Sequence, residues 1–105
     1  MLNNLKGFTF IKPQIDAKIT LDKYHRFYLS EGTMDIIGLE PKDTVRIAYN
    51  SDTKELALIK SGNFTIDSRN YINAKYFCMR YRYDGGASFV YKERIGDAFI
   101  FRLDT

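Results

Sequence analysis

The chain has 105 residues, 45% of them hydrophobic and 15% aromatic, with a formal net charge of +3 and a pI near 9.0. That is room for one domain or two intertwined half-domains, and it excludes a disordered chain. No run approaches the roughly 20 apolar residues of a membrane helix, and a single cysteine allows no internal disulfide. A soluble, cytoplasmic protein is therefore expected, with a mildly basic surface that permits nucleic-acid binding without requiring it.

In chain order, residues 1–6 read as a loose start, with no signal-peptide apolar core. Phe8-Thr9-Phe10-Ile11 is a short strand candidate, and Pro13 ends it or leaves it on a sheet edge. Residues 14–21 alternate, with Ile15, Ala17, Ile19 and Leu21 on one face, so a strand is predicted there. Asp22 to His25 reads as a turn, and Arg26 to Leu29 as the returning strand. Ser30 is a suitable helix N-cap, with Glu31 in the first turn, and Met34 and Ile37 give the apolar stripe of a two-turn helix. Thr33 cannot complete a capping box. Gly38 suits the left-handed residue that closes a helix, and Pro41 and Asp43 favour a turn.

Val45 and Ile47 then alternate with Thr44 and Arg46 as in a half-buried strand. Residues 50–53 suit a hairpin turn, and Leu56 and Leu58 lie on a strand apolar on both faces and hence central. Ser61-Gly62-Asn63 marks an internal boundary too short to be a flexible linker. Beyond it, residues 65–72 read Thr, aliphatic, Asp, turn, Arg, x, Tyr, aliphatic, as residues 20–29 do. Aligning Arg69 with Arg26 makes this a weak internal repeat whose second turn is two residues shorter. Phe77, Met79, Tyr81 and Tyr83 alternate with Cys78, Arg80 and Arg82, which predicts a strand. Asp84-Gly85-Gly86 reads as a hairpin turn, and residues 88–92 and 99–103 as the last strands of an antiparallel meander around Ile95-Gly96-Asp97.

Asp22-Lys23-Tyr24-His25-Arg26-Phe27-Tyr28-Leu29, followed by a short helix and Gly38-Leu39-Glu40-Pro41-Lys42-Asp43, resembles the AbrB/MraZ swapped-hairpin family. That family's pattern is Asp, three residues, Arg, strand, helix, and Gly-Leu-x-Pro-Gly-Asp before a strand. The resemblance covers about the first 60% of the chain. It implies an AbrB-like β-β-α-β-β unit with one short helix over residues 19–61; with the strands read within 1–18 and the β-rich second half read over 62–105, the expected fold is α+β and predominantly β. Together these make one compact domain whose second half is a degenerate repeat or a C-terminal antiparallel β-meander. The resemblance also implies a DNA-binding transcriptional regulator of bacterial or phage origin, binding double-stranded DNA as a homodimer because a single swapped-hairpin unit leaves strands that need partner strands; if the second half is a degenerate repeat, one chain closes on itself instead. Lys18, Lys23, His25 and Arg26 then approach the phosphates, and Arg69 joins them if the repeat is real. The competing role for Arg26 is an ion pair with Asp22 that pins the turn.

Two departures oppose the DNA reading. His25 stands where the family often has Gly, and the predicted helix carries Glu31 and Asp35, followed by Glu40, a charge that repels phosphate. A second basic site is Lys75, Arg80 and Arg82, although the aromatic face beside it more often belongs to a core. The alternative function is a protein-interaction or inhibitor module on the same scaffold, favoured by the acidic helix and the abundant Tyr. An exposed patch of Tyr71, Tyr76 and Tyr83 would favour that alternative. His25 and Cys78 lack metal-ligand spacing, no cofactor is implied, and no catalytic constellation is present, so an enzyme is not expected.

Overall fold

The computed structural model describes residues 6–9 and 16–105. Ten elements follow in order: β1 (Lys18–Leu21), β2 (Arg26–Leu29), α1 (Glu31–Ile37), β3 (Thr44–Asn50), β4 (Glu55–Lys60), β5 (Phe64–Thr65), β6 (Tyr71–Asn73), α2 (Lys75–Tyr81), β7 (Ala87–Ile95) and β8 (Ala98–Leu103). The eight strands form one antiparallel sheet in the order β5-β3-β4-β8-β7-β1-β2-β6. Its two end strands approach one another at the Asp67–Tyr71 turn, where Asp67 N–H donates to Tyr71 C=O at 2.9 Å, so the sheet curls into a nearly closed barrel. Inward-facing Ile19, Leu21, Phe27, Leu29, Val45, Leu56, Leu58, Ile72, Phe89 and Phe101 fill it. Period-2 alternation puts these residues on one face of each strand, which is why both halves contribute to one core.

The first helix forms as its sequence predicts. Ser30 Oγ accepts from Thr33 N–H at 3.2 Å, and Gly38 closes the helix at φ 79°. Thr33 is fully buried, and its hydroxyl donates to Lys18 C=O at 2.8 Å, tying α1 to β1. Lys60, reaching from β4, donates to Gly38 C=O at 2.9 Å and supplies the positive charge the helix end lacks. The Asn50 turn also forms, with its side-chain oxygen accepting from Asp52 and Thr53 N–H. β4 lies between β3 and β8, a central position in the sheet.

Three expectations change. The predicted strand over residues 77–83 is the helix α2, so the second half is not a plain meander and the described residues hold two short helices. Ala74, Phe77, Cys78 and Tyr81 fall at i, i+3, i+4 and i+7, a helical stripe that overrides the period-2 pattern. Along it Ala74 and Cys78 are buried and Phe77 half-buried, whereas Met79 is 70% exposed. Asp84-Gly85-Gly86 is accordingly not a hairpin but the connection from α2 to β7. At the N-terminus, Lys18 is the first strand residue, and Asp16 and Ala17 precede the strand. The residues 10–15 part of the predicted strands lies outside the described residues, and Phe8 and Thr9 are not in a strand.

The elements therefore run strand, strand, helix, strand, strand twice, and left-handed residues recur in step. His25 (φ 61°) matches Asn70 (φ 69°), Gly38 (φ 79°) matches Arg82 (φ 60°), and Lys42 (φ 79°) matches Gly86 (φ 74°). The hydrogen bonds recur too. Ala74 N–H donates to His25 C=O and Leu29 N–H donates to Asn70 C=O, both at 2.9 Å. The two halves are interleaved rather than stacked: β3 of the first pairs with β5 of the second, and β7 of the second pairs with β1 of the first.

Candidate nucleic-acid interface

The two turns Asp22–Arg26 and Asp67–Tyr71 share one construction. Asp22 Oδ1 accepts from Tyr24 N–H and Arg26 N–H, both at 2.9 Å. Asp67 Oδ1 accepts from Arg69 N–H at 2.8 Å and Tyr71 N–H at 2.9 Å. Aspartate is suited to such turns because a short carboxylate reaches backbone donors two residues on. The turns have equal length, which corrects the alignment made from sequence: Arg69 is the counterpart of Tyr24, and Arg26 is the counterpart of Tyr71. The spacing Asp-x-x-x-Arg and Asp-x-x-x-Tyr carried this signal, which the shared Arg obscured.

Hydrogen bonding and charge tune both carboxylates. Partial burial raises the Asp22 carboxyl, but hydrogen bonds from the Arg26 side chain and from the Arg26 and Tyr24 backbones outweigh it, leaving it below its ordinary 3.8. The Tyr71 N–H is the largest influence on Asp67 and likewise holds it low, with Arg26 and Lys42 close enough to contribute.

β2 and β6 pair antiparallel, with Phe27 opposite Ile72, and both of those residues point inward. Alternation leaves Arg26, Tyr28, Tyr71 and Asn73 on the outer face of this two-stranded ribbon. Arg26 is fixed there: its Nε donates to Asp22 Oδ2 at 2.9 Å, and its terminal nitrogen lies 2.8 Å from the same oxygen. The guanidinium carbon lies 4.0 Å from the centre of the Tyr71 ring, a diagonal cross-strand contact, and 5.3 Å from that of Tyr24. The turn-pinning ion pair expected as the alternative role of Arg26 is thus formed, and it leaves the Arg26 side chain 40% exposed on the ribbon.

Lys23 and His25 sit on the turn at the Arg26 end of the ribbon. Lys23 is exposed, and its ammonium lies 5.3 Å from the centre of the exposed Tyr24 ring. His25 is half-buried, and its left-handed backbone lets it bind Ala74. Arg69 is exposed on the turn at the other end, beyond Leu29. Lys18 is exposed on β1 opposite Ser30, at the Arg69 end and one strand removed from β2. Gly85 presses on the first turn: a Cβ there would lie 2.6 Å from Asp22 C=O and 2.8 Å from Lys23 Cα, so only glycine fits.

Lys75, Arg80 and Arg82 do not share a strand face. Lys75 opens α2, Arg80 lies in its last turn, and Arg82 is its left-handed C-cap; two residues on a helix diverge by about 200°. The three tyrosines considered for an interaction patch also separate. Tyr71 lies under Arg26, Tyr83 shares a 2.8 Å hydrogen bond with Tyr49 and stacks on Phe77, and Tyr76 is 77% exposed. Burial, reinforced by the Tyr83 bond, pushes the Tyr49 phenol well above its ordinary range, so Tyr49 stays neutral. Sequence reasoning missed Tyr28 and Asn73 as surface residues of the ribbon and weighed Tyr71 only for a protein-interaction patch.

Among the described residues no group of three or more His, Cys, Asp and Glu side chains is placed to hold a metal ion, and no helix is long and apolar enough to cross a membrane. Comparison with protein-family models, curated proteins and solved structures gave no match.

Proposed function

We propose that this protein is a small regulator of the AbrB/MraZ swapped-hairpin type that binds double-stranded DNA through the outer face of the β2–β6 ribbon. The observation that carries the reading is the placement of Arg26 on that face, with Lys23 beyond one end and Arg69 beyond the other. A two-stranded ribbon has the width to enter a major groove, and flanking cations suit the phosphates on either side. The family resemblance gains support from the backbone. Lys42 and His25 stand where the family pattern has or often has glycine, and both are left-handed. Glu31, Asp35 and Glu40 belong to α1 and the loop after it, not to the ribbon. The homodimer reading rested on strands in need of partners, and the second half of this chain supplies them.

The test is anisotropy of a labelled mixed-sequence duplex titrated with protein at 50 and 200 mM salt (concentrations on the order of those that expose counterion release). Binding is expected to weaken steeply with salt. Lys23→Ala and Arg69→Ala should each reduce the slope of log affinity against log salt by about one. No binding at the lower salt sinks the reading.

A protein-interaction module is the second reading, and α2 favours it. A groove of about 500 Å³ runs beside that helix, lined in part by Phe64, Thr65, Asn73, Lys75, Tyr76 and Met79. Tyr76 and Met79 are the large, exposed side chains that protein interfaces favour. Tyr76→Ala leaves duplex binding unchanged under the first reading.

A further inference from the structure

The backbone is two-fold symmetric about the ribbon, but the side chains on it are not. Phe27 and Ile72 face one another and are counterparts in the two halves, so the internal dyad passes between them. The same offset relates Lys23 to Ser68, Tyr24 to Arg69, Arg26 to Tyr71 and Tyr28 to Asn73. No pair is alike. At one end of the ribbon stand Lys23, Tyr24, Arg26 and Asn73; at the other stand Ser68, Arg69, Tyr71 and Tyr28.

We propose that one chain binds one duplex and reads a non-palindromic site, its two halves recognised by these two different sets. This rests on the DNA-binding function proposed above. A symmetric site is matched by symmetric readers, whether two chains or two identical halves. Here the dyad lies inside a single chain, so a second chain is not needed to place two turns on one groove. The chemistry at the two ends also differs. Asn73 brings an amide, the group that pairs with both edge atoms of adenine, and its Oδ1 is already oriented by Lys75 N–H at 2.9 Å. The other end offers the phenols of Tyr28 and Tyr71, packed 5.2 Å apart, with the exposed Arg69 on the turn beyond them for a phosphate. Arg26, clamped by Asp22 and stacked across the dyad on Tyr71, fixes the ribbon between the two sets.

The experiment selects bound duplexes from a randomised library at low salt, then measures the mass of the complex with the enriched sequence by sedimentation. Selection is repeated with Asn73→Ala and with Tyr28→Phe, which removes the phenol hydroxyl and keeps the ring, after checking that each unfolds with heat as the parent does. The expected result is a non-palindromic sequence, one chain per duplex, and variants that relax preference in different halves, by about tenfold per affected base pair. A palindrome bound by two chains, or two variants that relax the same base pairs, overturns the proposal. Salt-dependent binding with no enriched sequence also overturns it while leaving DNA contact standing. Absence of any bound duplex removes the DNA-binding function and this inference together.

Discussion

Arg26 is held by three contacts that act in different ways. The Asp22 carboxylate fixes its direction, the Tyr71 ring fixes its depth, and Tyr24 closes over one side. Ordering a long side chain costs rotamer entropy, and here the fold has already met that cost before any partner arrives. Asp22 carries more of the structure than Arg26, since it also closes the turn through two backbone N–H groups. Asp22→Ala is expected to destabilise the protein by about 1–2 kcal/mol, read as a lower urea midpoint with unchanged slope. Both turn aspartates sit below their ordinary 3.8, so their ionised forms stabilise the fold above that value. That contribution is lost as pH falls through the lower, folded-state values. Thermal stability should therefore be flat from neutral pH to about 5 on this account and fall below about 4. Asp67→Asn should make the decline shallower; an identical decline in that variant would assign it to other carboxylates.

At the scale of elements, α2 shows where local pattern misleads. Phe77, Met79, Tyr81 and Tyr83 alternate with Cys78, Arg80 and Arg82 well enough to read as a strand, and a seven-residue helix has little propensity of its own to contradict that. What decides is packing. Phe77 meets Phe27, Tyr49, Tyr81 and Tyr83, and Cys78 enters the core, its thiol pushed up by burial. These partners lie on other elements for the most part, so they cannot be read from the local sequence. Phe77→Ala should cost about 2–4 kcal/mol, whereas Met79→Ala, on the exposed side, should stay within about 0.5 kcal/mol. Comparable losses for both would mean that the two share a buried face, as a strand would place them. The first helix was legible because Ser30 and Gly38 encode its two ends chemically. The second has Ala74 as N-cap without a side-chain bond and Arg82 forced left-handed as C-cap, so its ends carry no such signal. The turns lie between these cases. Both aspartates were visible, but the register between them was set by backbone bonds that only the structure displays.

Over the whole molecule, the crossed pairing of the halves decides how the chain must unfold. β1 needs β7, β3 needs β5, and β4 needs β8. With the β2–β6 ladder included, each half alone leaves four ladders without partners and its share of the core open to water, a state that costs both hydrogen bonds and apolar burial. Neither half is then an independent folding unit, although each repeats the same order of elements. Leu21 lies in the first half and Phe101 in the second, and both are fully buried in the same core. Leu21→Ala and Phe101→Ala should each remove about 3–5 kcal/mol. Each should shift one shared transition, seen alike by backbone circular dichroism and by tyrosine fluorescence. Contacts between residues so distant in sequence also predict slow folding, on the millisecond-to-second scale of other β-rich domains, since loop closure precedes most of the burial. Two separable transitions, with Leu21→Ala moving one and Phe101→Ala the other, would mean that the halves fold on their own. The internal dyad would then be a docking of two domains rather than the axis of one barrel.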